Sequence, residues 1–249
     1  MKVIYHPSYT DVYSSDPASE PGRMEAILKE LEGRYDFLQP QPAAEEDLRR
    51  VHGQSHIHSI KRDPHLYEIA CLAAGGAIMA AEMGMEGEPS FGLIRPPGHH
   101  ASPEHCWGFC FFNNIAVALA KLKAEKRIEK ALILDFDLHF GDGTNAVFTG
   151  SKVVYFQPGV EYREGFMKEI QERLNREKEY DILAVSAGFD RHVDDWGGQL
   201  TTEDYRTMGR LTKEAAERVC KGKRFAVLEG GYNHDVLGRN VRAFLEGMD

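Results

Sequence analysis

Short apolar runs, each bounded by polar or turn-forming residues, alternate along this chain with longer stretches whose apolar residues recur at helical spacing. KVIY at the start, then 91–94 (FGLI), 131–136 (ALILDF), 152–156 (KVVYF), 181–186 (DILAVS) and 225–229 (FAVLE), are short and almost continuously apolar. Runs of that kind predict strands buried on both faces. The intervening segments predict helices over 64–83, 113–125 and 201–220. Within the first, Ala73, Ala74, Gly75, Gly76 and Ala77 predict a close approach to neighbouring backbone, and the last opens on Thr201 and Asp204, residue types that cap a helix reciprocally. The charge-rich segment 169–179 reads as a solvated helix face. Strand and helix in alternation require crossover connections, so the predicted fold class is α/β, a mainly parallel sheet with helices on both faces.

Composition narrows this picture. At 249 residues, 42% hydrophobic and 28% charged, the chain can bury one sizeable core, and no Pro/Gly/Ser-rich linker divides it, so 1–249 is read as a single domain. A net charge of −9 without a basic stripe argues against nucleic acid as a partner. No apolar run approaches the roughly 18 residues of a membrane span, and no leader-like stretch follows Met1, so no membrane partner is expected and a soluble, cytoplasmic protein is. The four cysteines have no CxxC spacing and are read as reduced thiols.

The polar residues then fall where an open parallel sheet binds ligands, beyond the carboxyl ends of its strands. His99 and His100 follow the strand at 91–94, Asp137 and His139 end the one at 131–136, Asp190 follows 181–186, and Tyr232 follows 225–229. Asp137, His139 and Asp190 are two carboxylates and an imidazole, a set suited to zinc, iron(II), cobalt or manganese that leaves coordination positions open for catalysis. Such a centre acidifies water less than one with three neutral imidazoles and calls for a nearby base, which His99 or His100 can supply. The prolines and Gly98 before them hold the two rings in place, and Asp135 and Asp142 are the carboxylates at hand to orient them. Tyr232, after Gly230 and Gly231, can donate to a developing oxyanion where the backbone passes close to substrate.

Together these residues resemble the histone deacetylase superfamily, including acetylpolyamine amidohydrolases and acetoin-utilisation-type proteins. RPPGHHA (95–101), GFCFFNN (108–114), DFDLHFGDGT (135–144), SAGFDRHVDD (186–195) and LEGGYN (228–233) occur in that family's order, while YHPSY and VHGQSHI are weaker early matches. The resemblance implies an arginase/deacetylase-like fold and zinc bound by Asp137, His139 and Asp190. It implies His100, oriented by Asp142, as base and then acid, with His99 and Asp135 tuning the electrostatics. Gly108 is implied to receive the substrate amide N–H, Phe109 to line an acyl-lysine channel, and Gly230 to contact substrate. The implied reaction is hydrolysis of an acetyl or short acyl amide on a lysine-like or polyamine amine.

The sequence also departs from the family. Phe140 replaces a histidine, DPASEPGRM (16–24) stands in place of an early channel-wall motif, and the stretch 144–189 lacks the family's glycine-rich segment, which implies a more open mouth. VVYFQPG lacks the serine of a potassium site, so potassium is left open, as is the choice between monomer and oligomer. Two other readings are carried: an arginase-like ureohydrolase, which would need a second aspartate set for two metals, and a non-catalytic protein that binds acylated ligands.

Overall fold

The computed structural model describes residues 1–249. Seven strands run in chain order: β1 (Lys2–Ile4), β2 (Asp36–Leu38), β3 (Ser90–Gly92), β4 (Ala131–Asp135), β5 (Val153–Phe156), β6 (Ile182–Ala187) and β7 (Arg224–Leu228). They form one sheet in the order β2-β1-β3-β7-β6-β4-β5, with every pair parallel. All residues of β4, β6 and β7 are buried, which is why these strands lack polar alternation. The six predicted strands lie within a residue or two of those found. The seventh, β2, was not anticipated: DFL is a half-exposed edge strand flanked by charge and carries no continuous apolar signal.

Nine helices cover the sheet: α1 (Arg23–Leu31), α2 (Glu45–Leu48), α3 (Gln54–Ile60), α4 (Pro64–Met85), α5 (Asn114–Ala124), α6 (Asp142–Phe148), α7 (Arg163–Arg176), α8 (Thr202–Cys220) and α9 (His234–Met248). α4 and α5 pack against each other, α4 reaching β1, β3, β6 and β7, while α8 packs on β6 and β7 and joins α7 and α9, with α1 against α9. The expected small-residue contact in α4 is real: a Cβ on Gly75 would lie 1.9 Å from the Gln41 carbonyl oxygen. Over an 18-residue window the 22-residue α4 reaches a mean hydropathy of 1.4, enough by length and composition alone to cross a membrane and closer to a span than the sequence reading expected. It is instead a core helix, with 67% of that window buried. The cap of α8 forms as expected: Asp204 accepts from the Thr201 N–H (2.7 Å), and Arg163 grips the same carboxylate through Nε (2.7 Å) and Nη2 (2.8 Å). In 169–179 only Ile170 and Leu174 are fully buried, and α7 ends before Glu177, so the solvated-face reading holds for most of the segment.

A single cluster of 65 buried apolar residues runs through sheet and helices. The four strands whose ends carry the candidate residues, β3, β7, β6 and β4, are adjacent at the centre of the sheet. Their following loops therefore converge on one rim.

Candidate active site

Asp137, His139 and Asp190 converge so that one ligand atom from each lies within 4.8 Å of the others. His139 Nδ1 is 3.5 Å from Asp137 Oδ1 and 3.3 Å from Asp190 Oδ2. The two carboxylates are unequal. Asp137 collects the N–H groups of His139 (2.9 Å) and Gly230 (2.8 Å), whereas Asp190 receives Leu138 N–H on Oδ1 (3.0 Å) and its buried Oδ2 has no donor. Asp137 is therefore held below the usual carboxylate range, the His99 charge and these bonds outweighing burial. Burial and the neighbouring Asp137 push Asp190 up to about 7. The closeness of the Asp137 and Asp190 carboxylates raises His139 to about 10, although its ring nitrogen is not aligned to hydrogen-bond Asp190 Oδ2. A buried carboxylate oxygen with no donor, beside a second carboxylate and an imidazole, is the environment a dication satisfies, so these three residues fit a metal ion. The cradle is tight, since a Cβ on Gly188 would lie 2.1 Å from Asp137 Oδ2.

The loop after β3 carries the two imidazoles. Glu229, at the end of β7, accepts the backbone N–H of Gly98 (2.7 Å) and His99 (3.2 Å), anchoring the loop, while burial pushes its carboxyl up to about 7. His99 Nδ1 lies 3.1 Å from Asp135 Oδ2, and His100 Nδ1 lies 2.7 Å from Asp142 Oδ1, the pairing expected. Burial and the charge of His99 lower His100, against the pull of Asp142, so His100 is the ring that favours the neutral form. Trp107 lies tilted over His100, with centroids 4.0 Å apart and planes at 35°, and donates Nε1–H to Asp142 Oδ2 (2.9 Å), fixing that pair from outside.

Gly108 and Phe109 both have positive φ, +59° and +67°, in a turn closed by Cys110 N–H to Trp107 O (3.1 Å). For phenylalanine the left-handed region costs about 1–2 kcal/mol, and the turn holds its ring against the cavity. At Gly108 a Cβ would strike the His100 ring at 2.4 Å. Opposite, Tyr232 is held by its own N–H and that of Asn233 donating to Asp195 Oδ2, each at 2.8 Å. Burial raises its hydroxyl far above the usual range, so the phenol stays a donor. His99, His100, Gly108, Phe109, His139, Gly230 and Tyr232 all line one cavity of about 100 Å³. Asp135, Asp137, Asp142 and Asp190 stand behind it.

Several residues of this site were not anticipated. Arg191 donates to the carbonyls of Asp137 (3.0 Å) and Leu138 (3.2 Å), and Gln157 Nε2 donates to those of Asp137 (2.9 Å) and His139 (3.0 Å). The Gln157 Oε1 accepts from Gly141 N–H (3.0 Å) and from the Tyr155 hydroxyl (2.7 Å), which also donates to Asp135 (2.9 Å). Phe140, in contrast, points away and is exposed. Glu229 was legible in principle, as a carboxylate closing the apolar run 225–229; Gln157 carries no such mark.

A family model for the histone deacetylase domain matches residues 17–166 and 158–248. The chain belongs to the histone deacetylase family. Its relatives include a probable deacetylase of Methanothermobacter thermautotrophicus, 31% identical over 306 aligned positions covering all of this chain and 91% of the relative. A histone deacetylase-like amidohydrolase of Pseudomonas aeruginosa is 31% identical over 258 positions, covering 82% of this chain and 68% of that one. The crystal structure of an HDA15 HD domain superposes with a TM-score of 0.84 over 100% of this chain and 90% of the other, at 24% identity, and so shares the fold. The protein is thus a deacetylase or amidohydrolase of a hydrolytic family, which sets aside the non-catalytic and ureohydrolase readings. The two matched segments meet at 158–166, inside the stretch the sequence marks as shortened, and the archaeal alignment has more positions than this chain has residues.

Proposed function

We propose that the protein hydrolyses the amide of an N-acylated amine, an acetyl or short acyl group on a lysine-like or polyamine amine, with 1–249 acting as one catalytic domain. The observation that carries this reading is the bare Asp190 Oδ2 facing Asp137 and His139 beside a cavity that also holds a carboxylate-paired histidine and a phenol. Asp137, His139 and Asp190 would hold one divalent metal, zinc or iron(II), which when bound supplies Lewis-acid polarisation of the amide carbonyl and acidification of water.

The remaining steps belong to the chain. His100, neutral and fixed through Nδ1 by Asp142, takes the proton of the attacking water on Nε2 and then delivers it to the departing amine nitrogen. His99, held by Asp135, adds positive character beside the reacting centre. Tyr232 donates its hydroxyl hydrogen to the carbonyl oxygen as charge develops there. The Gly108 carbonyl receives the substrate amide N–H, the Phe109 ring packs on the chain behind it, and Gly230 keeps Asp137 in place while leaving the backbone close to the acyl group. The products are a short carboxylic acid and a free amine.

The test is an assay of acetate release by the metal-loaded protein from an acetyl-lysine peptide and from an acetylated polyamine. Turnover of either is expected, and the ratio of the two identifies the substrate class. No release from either, or from longer acyl analogues, would sink the reading.

A further inference from the structure

The backbone carbonyls of Asp137, Leu138 and His139 lie in a turn outside helix and sheet, and two side chains from other loops meet them. Gln157 Nε2 donates to the carbonyls of both Asp137 (2.9 Å) and His139 (3.0 Å), so those two oxygens converge on one nitrogen. Convergent carbonyl dipoles repel one another and favour positive charge between them, and sets of backbone carbonyls are how proteins bind potassium in place of its water. Arg191 brings a full positive charge to the same turn. Its Nε donates to the Asp137 carbonyl (3.0 Å), Nη2 to that of Leu138 (3.2 Å) and Nη1 to Gln199 Oε1 (2.9 Å), with the guanidinium 4.5 Å from the Phe166 ring centre. The side chain is buried, and a guanidinium keeps its charge at any working pH.

The Gln157 amide can face only one way. Its Oε1 accepts Gly141 N–H (3.0 Å) and lies 2.7 Å from the Tyr155 hydroxyl. Reversed, the oxygen would face two carbonyls and the NH2 group would face an N–H. Both hydrogens of Nε2 are thus committed to the carbonyls, and the Asp137 oxygen has a donor for each of its lone pairs. An ion within reach of both carbonyls would have to displace Nε2. The residues of this turn therefore do not fit potassium, which the sequence left open.

We propose that Gln157 and Arg191 stand in for a buried monovalent cation beside the metal centre, so that its ligand geometry is independent of potassium and sodium. Gln157 holds the converging carbonyls together, and Arg191 supplies the charge. Both are positioning residues that act through the backbone of Asp137 and His139. This rests on the metal-centre reading above and deepens it. Unlike an ion, a side chain cannot exchange with solvent, so the turn keeps its shape in any salt.

The test uses the full chain with zinc alone as the probe. Its affinity is read by competition with a chelator in potassium, sodium or tetramethylammonium chloride at equal ionic strength, so that screening is the same in each. The parent's affinity is expected to agree within about twofold across the three salts, since no carbonyl is left for an ion to coordinate. Gln157→Ser is expected to bind zinc roughly 10–100-fold more weakly in tetramethylammonium, the loss typical of a group that orients metal ligands. Potassium is expected to restore most of that loss, because the groove lined by Leu138, Gln157 and Arg191 gives an ion access to the freed carbonyls. Thermal melting checks that the variant folds, and the comparison of salts on the parent stands whether or not it does. A parent affinity that climbs to saturation with potassium would overturn the proposal. So would a Gln157→Ser loss equal in all three salts, which would make the side chain plain packing, or no loss at all. A parent that binds zinc in none of the salts overturns the metal-centre reading itself, and this inference with it.

Discussion

Tyr232 and His100 face each other across one small cavity, and each is locked by a neighbour that does not itself react. Asp195 pins the backbone at Tyr232, and Asp142 with Trp107 fixes the His100 ring. Preorganisation of this kind lets a donor act without rearranging as charge develops. Tyr232→Phe is therefore expected to lower turnover by roughly 10²–10³-fold, the magnitude for removal of one oxyanion donor, with metal content unchanged. Unchanged turnover, measured beside metal analysis, would remove Tyr232 from the chemistry. At this scale the sequence was informative where a residue type is chemically costly in its setting. Consecutive histidines and an Asp-x-His at a strand end have few other uses. Gln157 gave no such signal, because its significance lies in contacts made across loops by an ordinary glutamine.

Among the elements, strands announced themselves by continuous apolar character because the parallel sheet is covered on both faces. β2 was silent because one edge strand of three residues is half exposed. The helices α1, α2, α3, α6 and α9 were not anticipated. α9 carries a clear apolar stripe and opens on an Asn233 cap, so its signal was present but overshadowed by the LEGGYN motif before it. β5 shows how an unassuming edge element supports the site: at its end Tyr155 and Gln157 reach under the 137–141 loop and satisfy its carbonyls and an N–H. Removing that support at Gln157→Ala leaves the His139 carbonyl without its donor and that of Asp137 with Arg191 alone. Metal affinity, followed by competition with a chelator, is expected to fall roughly 10–100-fold, as for other groups that orient metal ligands. An affinity within twofold of the parent would show that Arg191 alone holds the loop.

For the molecule as a whole, the topology explains why residues spread from 99 to 232 meet. Four central strands, β3, β7, β6 and β4, end side by side, and each loop brings one part of the chemistry to the same rim. Beside the same rim lies an open groove of about 560 Å³, lined by Gln157, Pro158 and Gly159 after β5 and by Arg191 and Gly197 after β6. The unpaired Asp190 oxygen at that rim is the observation on which the proposed single metal rests. The most direct measurement is a titration of zinc or iron(II) into chelator-treated protein while acetate release from an acetylated amine is followed. Activity is expected to rise linearly to a plateau at one equivalent, and Asp190→Ala is expected to show neither tight metal binding nor turnover. Full activity in the stripped protein, a plateau at two equivalents, or normal turnover by Asp190→Ala would contradict a mononuclear centre built on Asp137, His139 and Asp190.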